Sequence, residues 1–240
     1  MVEPTPLLTR RTALLASGFA ALSAAGCSVN PNYDYSGADA PRQLFAARGK
    51  PIQQIWAMSS GGPRGFVHVG VLKALEELRH APDLIVGGSV GALIGALYAG
   101  GVRAKELERM SLDLGVTDMG RLALLGEGKF TGTPLATIVN HELTKRVGGC
   151  ELEKLPIAFA AVAVEKESRQ PVLFNHGDAG VAVQASCAIE GIFTPVRIRG
   201  IQYVDADLVT PLPVRLALQK AAALNGASPS RPVPRVLAMD

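Results

Sequence analysis

Residues 83–101 read DLIVGGSVGALIGALYAGG, and the way this string divides decides the fold. From Leu84 to Val102 there is no charged residue, the length of a membrane-crossing helix. Six of those residues are Gly, with Gly87 and Gly88 adjacent, and each glycine weakens a continuous helix by about 1 kcal/mol. A buried strand (83–88), a sharp turn at Ser89 and a buried helix (90–101) closed by glycines explain the string better. Divided so, GGSVG (87–91) is a G-x-S-x-G motif between a strand and a helix.

The flanks repeat the pattern. IQQIWAM (52–58) reads as a strand and SSGGPRG (59–65) as a turn. FVHVGVLKALEEL (66–78) reads as a helix with Val67, Val71, Ala74, Leu75 and Leu78 on its apolar face. Downstream, RAKELERMSLDL (103–114) and PLATIVNHELTKRV (134–147) have helical spacing. IAFAAVAV (157–164), PVLFN (171–175), IQYVDADLV (201–209) and RVLAM (235–239) read as strands. Strands alternating with helices predict an α/β fold: a three-layer domain with a mostly parallel central sheet and helices on both faces.

Composition limits the alternatives. Of 240 residues, 48% are hydrophobic and 19% charged, enough apolar material for a large core and against disorder. The net charge of +3 includes no Lys/Arg run longer than two, which argues against a nucleic-acid surface. Cys27, Cys150 and Cys187 are too few for a disulfide scaffold, and no CxxC or His/Cys cluster points to a metal. Neither G-x-G-x-x-G nor a Walker loop can be written over 59–65, and GEGKFT (126–131) fails as a Walker loop, so no nucleotide is expected.

The first 26 residues read as an export signal: Arg10 and Arg11 precede TALLASGFAALSAAG, which carries no charge. As a helix that stretch rises only ~22 Å against a ~30 Å hydrocarbon core, too short for a permanent anchor. It ends in LSAAGC, small residues before Cys27 that resemble a bacterial lipobox, although Ala24 stands where Leu is commonest. Cleavage and acylation at Cys27 would make an exported, lipid-anchored protein of the cell envelope. Residues 27–50, polar and turn-rich, read as a tether, and 51–240 as the folded domain, with the closing strand-like run suggesting a fold that continues beyond residue 240.

Three segments carry chemistry. In GGSVG, Ser89 would sit on a strained turn with its hydroxyl exposed and a helix N-terminus beside it; the plainer reading is a helix N-cap. In SSGGPRG, consecutive glycines can aim backbone N–H groups at an oxyanion. In YVDADLVTPLPV (203–214), Asp205 ends a strand, where open α/β sheets place ligand chemistry; the plainer reading is an Asx-turn. A Ser nucleophile needs a base, and none of His68, His80, His141 and His176 follows Asp205. His68 reads as a packed imidazole, which leaves a Ser–Asp dyad as the economical choice, with His141 or His176 the base of a Ser–His–Asp alternative.

Together these segments resemble the patatin-like phospholipase family, whose motifs are G-G-G-x-R-G, G-x-S-x-G, A-S-x-A-x-P-G-x-F-x-P-V and D-G-G/A. The matching residues are SGGPRG (60–65), GGSVG (87–91), ASCAIEGIFTPV (185–196) and DAD (205–207), in the same order, over roughly residues 53–240. The resemblance implies a lipid acyl hydrolase needing no metal or cofactor. Ser89 would attack an ester of a phospholipid or lysophospholipid, and Asp205 would take its proton. Gly61, Gly62, Arg64, Gly65 and Val90 would form the oxyanion hole, with the Arg64 side chain bracing the loop or meeting a lipid phosphate. The chain departs from the pattern at Ser60, Glu190, Ala206 and Asp207. Were a positive φ needed at 206, Ala would be strained there, and Asp207 would raise the pKa of Asp205. A decayed, inactive relative would share the fold.

Overall fold

The computed structural model describes residues 33–44, 51–113, 121–122, 130–225 and 234–240. The expectations for residues 1–26, Cys27 and GEGK (126–129) lie outside them. All described residues belong to one compact unit, 31–240.

The central sheet is built from β1 (Asp34–Tyr35), β2 (Gln54–Met58), β3 (Leu84–Gly88), β6 (Ala158–Glu165), β7 (Pro171–Phe174), β8 (Val196–Ile198), β9 (Ile201–Asp205) and β10 (Arg235–Met239). β4 (Arg121–Leu122) and β5 (Phe130–Thr131) form a separate antiparallel pair. β10, β2, β3 and β6 are parallel neighbours in that order, the part of the sheet predicted as parallel. Beyond β6 the sheet turns antiparallel through β7, β9 and β8, while β1 lies parallel to β8. The parallel strands read as unbroken apolar runs because both their faces are covered.

Side chains alternate across the sheet. Trp56, Met58, Ile85, Phe159 and Ala161 face one core with α1 (Val67–Glu77), α2 (Val90–Ala99), α4 (Thr133–Val147) and α5 (Ala179–Ser186). α3 (Ala104–Asp113) packs beside α1 in the same layer through Ala104 and Leu107. Ile55, Leu84, Val86, Ala160, Val162 and Val204 face the other, where Ala217 and Ala221 of α6 (Val214–Asn225) cover them. Three layers result, as the alternation of elements implies. The uncharged 84–102 string is split between β3 and the ten-residue α2, and among the described residues no helix is long and apolar enough to cross a membrane.

Three expectations need correction, and one condition, raised for Ala206, is not met. α1 buries His68, Val69, Leu72 and Leu75, leaving Val67 56% and Leu78 76% exposed. Its apolar arc is wide enough for two stripes, and the buried one is fixed by His68, whose Nε2 hydrogen-bonds the Ser59 carbonyl at 3.0 Å. Part of the expected tether lies on the sheet: Asp34 and Tyr35 pair with Arg197 and Ile198. β9 ends at Asp205 rather than running to Val209, because a turn begins there, with Val209 and Thr210 donating to the Ala206 carbonyl. Ala206 does not adopt a positive φ and is fully buried against α6, so it is not strained.

Candidate active site

The register of β6 brings the two ends of the site together. Ala161 and Val162 pair with Gly87 and Gly88 of β3 and also with Phe174 and Leu173 of β7, so β3 and β7 lie on opposite edges. Ala163 and Val164 pair with β7 and with Asp205 and Val204 of β9, so β9 lies opposite β7 too. β3 and β9 therefore share one edge, approaching from opposite directions and meeting at Val162 and Ala163. Ser89 follows the last residue of one, and Asp205 is the last residue of the other.

Ser89 has φ 50° and ψ −123°, a strained conformation for a residue with a side chain. The turn closes tightly enough that a Cβ at Gly91 would stand 2.5 Å from the Ser59 carbonyl oxygen and 2.6 Å from that of Met58. Two groups hold the strain. The Ser89 carbonyl accepts from Ala92 and Leu93 at 2.8 and 3.1 Å, starting α2. The Ser89 N–H donates to Ser186 Oγ at 2.9 Å, and that buried hydroxyl donates in turn to the Val162 carbonyl. Ser89 caps α2 in position only, since its side chain makes no capping hydrogen bond. Its hydroxyl is left for other work.

That hydroxyl faces Asp205, which is 8% exposed. Burial pushes the Asp205 carboxyl up to about 6, and the charge of Asp207 adds to the rise; the Ser89 hydroxyl and the Asp207 and Ala206 N–H groups pull the other way. Asp207 N–H donates to Oδ1 at 2.9 Å, whereas Oδ2 is buried with no hydrogen-bond partner. Ser89 and Asp205 thus face each other across the cleft, with one carboxylate oxygen left unpartnered. Cys187 adjoins the same hydroxyl; burial, and then the Asp205 charge, push its thiol well above the ordinary range, so it stays protonated. Cys150 and Cys187 are both free thiols.

The glycine turn forms the opposite wall. Gly61 and Gly62 have positive φ, and among the described residues their N–H groups have no hydrogen-bond acceptor; the Val90 N–H at the start of α2 has none either. Arg64 N–H is committed to the Gly61 carbonyl at 3.2 Å. Gly65 sits behind the turn, where a Cβ would stand 2.0 Å from Val90 Cγ1. Of the five residues expected to bind an oxyanion, Gly61, Gly62 and Val90 therefore offer open donors. The exposed Arg64 side chain makes no hydrogen bond or ion pair among the described residues, so it does not brace the loop.

A cavity of about 300 Å³ opens over these groups, lined by Gly61, Gly62, Arg64, Ser89, Ile189, Glu190, Asp205, Asp207 and Leu208. An apolar slot leads from it beside Val90, Leu93, Leu135, Cys187 and Phe193, and shares Gly62, Ser89 and Ile189 with it. No histidine lines either. His141 is exposed on α4, His176 Nε2 is 2.9 Å from Glu153 Oε1, and the His68 ring, its pKa lowered by burial, lies behind Ser59. Sequence reasoning missed Ser186, Cys187 and Ile189 as site residues; ASCAI (185–189) marks the segment but not what each side chain touches.

Comparison with known proteins bears on the family and the fold. A family profile for patatin-like phospholipases matches residues 57–218. An uncharacterized NTE-family protein of Mycobacterium tuberculosis is 34% identical over 184 residues, covering 73% of this chain and 50% of that protein. A lysophospholipase of Aspergillus fumigatus is 30% identical over 169 residues, 65% of this chain but 10% of that one. The crystal structure of VipD from Legionella pneumophila is similar in fold, with a TM-score of 0.54 at 13% identity over 68% of this chain and 50% of that one. The chain spans about half the length of its mycobacterial relative. With the profile lying over most of the described domain and both ends of the cleft, this chain belongs to the patatin-like phospholipase family.

Proposed function

We propose that this protein is a lipid acyl hydrolase that cleaves carboxylic esters of phospholipids or lysophospholipids with a Ser89–Asp205 dyad. The observation that carries the reading is the unpartnered Asp205 Oδ2, buried beside a strained, uncapped Ser89 hydroxyl. Ser89 Oγ attacks the ester carbonyl while its proton passes to Asp205, and the Gly61, Gly62 and Val90 N–H groups receive the developing oxyanion. Collapse of the tetrahedral intermediate breaks the C–O bond to the leaving alcohol, which takes the proton back from Asp205. Water, deprotonated by Asp205, then attacks the acyl-enzyme; the fatty acid leaves and Ser89 regains its proton. The apolar slot suits an acyl chain, and the unpaired Arg64 on the rim suits a phosphate. The absence of histidine from the cavity lining favours the dyad over a Ser–His–Asp arrangement.

A fluorophosphonate probe tests the nucleophile. Wild type is labelled and Ser89→Ala is not, and turnover of a p-nitrophenyl ester falls by about 10³-fold or more in both Ser89→Ala and Asp205→Asn. Persistent labelling of Ser89→Ala would refute the assignment, and undiminished turnover in Asp205→Asn would move the base elsewhere. The reading extends to location: residues 1–26 direct export and Cys27 carries a lipid. Mass spectrometry of protein from the membrane fraction shows a diacylated N-terminal Cys27 if that is so, and an unmodified or differently cleaved N-terminus if not.

A further inference from the structure

The loop after β2 and the loop after β9 are joined at one point outside the dyad. Ser60 Oγ donates a short hydrogen bond to Asp207 Oδ1. The Ser60 N–H donates to the Pro211 carbonyl at 2.8 Å, so residue 60 grips the 205–211 turn at both ends. Asp207 then donates its own N–H to Asp205 Oδ1 at 2.9 Å. Gly61 and Gly62 follow Ser60 directly. One hydrogen-bonded path therefore runs from the open N–H groups, through Ser60 and Asp207, to the carboxyl facing Ser89. A hydroxyl donating to a carboxylate is a charge-assisted bond, stronger than a neutral one. Ser60 is 9% exposed, so water competes little for its hydroxyl. Positions 60 and 207 are also two of the places where this chain departs from the small residues, Gly at 60 and Gly or Ala at 207, of the pattern described above. Glycines there could not make the contact.

We infer that Ser60 and Asp207 are a pair of positioning residues: a latch that fixes the Gly61–Gly62 N–H groups and the Asp205 carboxyl relative to each other across the cleft. This rests on Ser89 and Asp205 being nucleophile and base. Asp207 brings a negative charge near Asp205 as well as a hydrogen bond, and the Ser60 hydroxyl donates to that charge and so weakens its effect. Losing Ser60 therefore loosens the turn and frees the carboxylate to act on Asp205. Losing Asp207 loosens the turn but removes the charge. The two losses move the titration of Asp205 in opposite directions, which a merely structural contact does not do.

The test is a double-mutant cycle in the full chain with Ser60→Gly, Asp207→Gly and both together, reading kcat, KM and the pH profile of kcat/KM on a p-nitrophenyl ester. Each single variant lowers kcat by about tenfold with KM within about twofold, and the double is no worse than the poorer single. The acid limb of the profile moves to higher pH in Ser60→Gly and to lower pH in Asp207→Gly. Asp207→Asn, which keeps an acceptor oxygen, retains more kcat than Asp207→Gly. Should a glycine variant fail to melt cooperatively, Ser60→Ala and Asp207→Ala complete the same cycle. Multiplying losses in the double variant, or acid limbs that do not separate, overturn the latch while leaving the dyad intact. A wild-type protein that neither takes the fluorophosphonate probe nor turns over ester overturns the dyad, and the latch with it.

Discussion

At the scale of single residues, the decisive feature is a carboxyl held in the wrong environment for a charge. Burial raises Asp205 to about 6 from an ordinary 3.8. A base must be deprotonated, so kcat/KM falls as pH drops through about 6, and a rate unchanged from pH 8 to pH 4.5 would exclude Asp205 as the base. Stability takes the opposite sign. A carboxyl whose folded pKa is raised binds its proton more tightly when folded, so stability falls as pH rises from about 3.8 through about 6 and stays lower above it. Asp205→Asn should raise the melting temperature at pH 8, with the gain disappearing near pH 4, where the wild-type carboxyl is neutral in the folded state. Equal melting shifts at both pH values would mean that the charge is not the cause. The type and position of Ser89, Asp205, Gly61 and Gly62 were legible from motif spacing. What Ser60 and Asp207 do was not, because nothing in a linear pattern shows two departures touching across a cleft.

At the scale of elements, the site depends on β6 serving two strands along one edge. The Ser89 turn also depends on how closely α2 approaches the end of β2. Gly91→Ala would push a methyl into two carbonyl oxygens, and a destabilisation of about 1–3 kcal/mol with loss of probe labelling is expected in chemical denaturation and labelling assays. Unchanged stability would mean that the turn relaxes freely. Long apolar strands and helices α1 to α4 were readable from the sequence because their period is strong, whereas the twelve-residue α6 was not read. β1 and β8, two and three residues long, carry too little pattern to be seen. α5 was missed because it is buried throughout and so has no polar face to give it a period. α1 was found, but its face was misread, because apolar residues flank both sides of a stripe that a polar His68 completes.

At the scale of the whole molecule, the mouth of the cleft is rimmed by exposed apolar side chains: Leu208 is 83% exposed and Ile189 37%. Such a rim suits a substrate presented in a lipid surface. Leu208→Asp should depress hydrolysis of phosphatidylcholine vesicles about tenfold more than hydrolysis of a soluble short-chain ester; equal losses on both would assign Leu208 to the chemistry instead. The three-layer arrangement followed from the order of strands and helices, whereas the antiparallel direction of β7, β9 and β8 left no sign in composition or period. Their placement has a temporal consequence. A chain emerging residue by residue has made Ser89 well before β9, so the alcohol and the acid come together only once that later strand has docked.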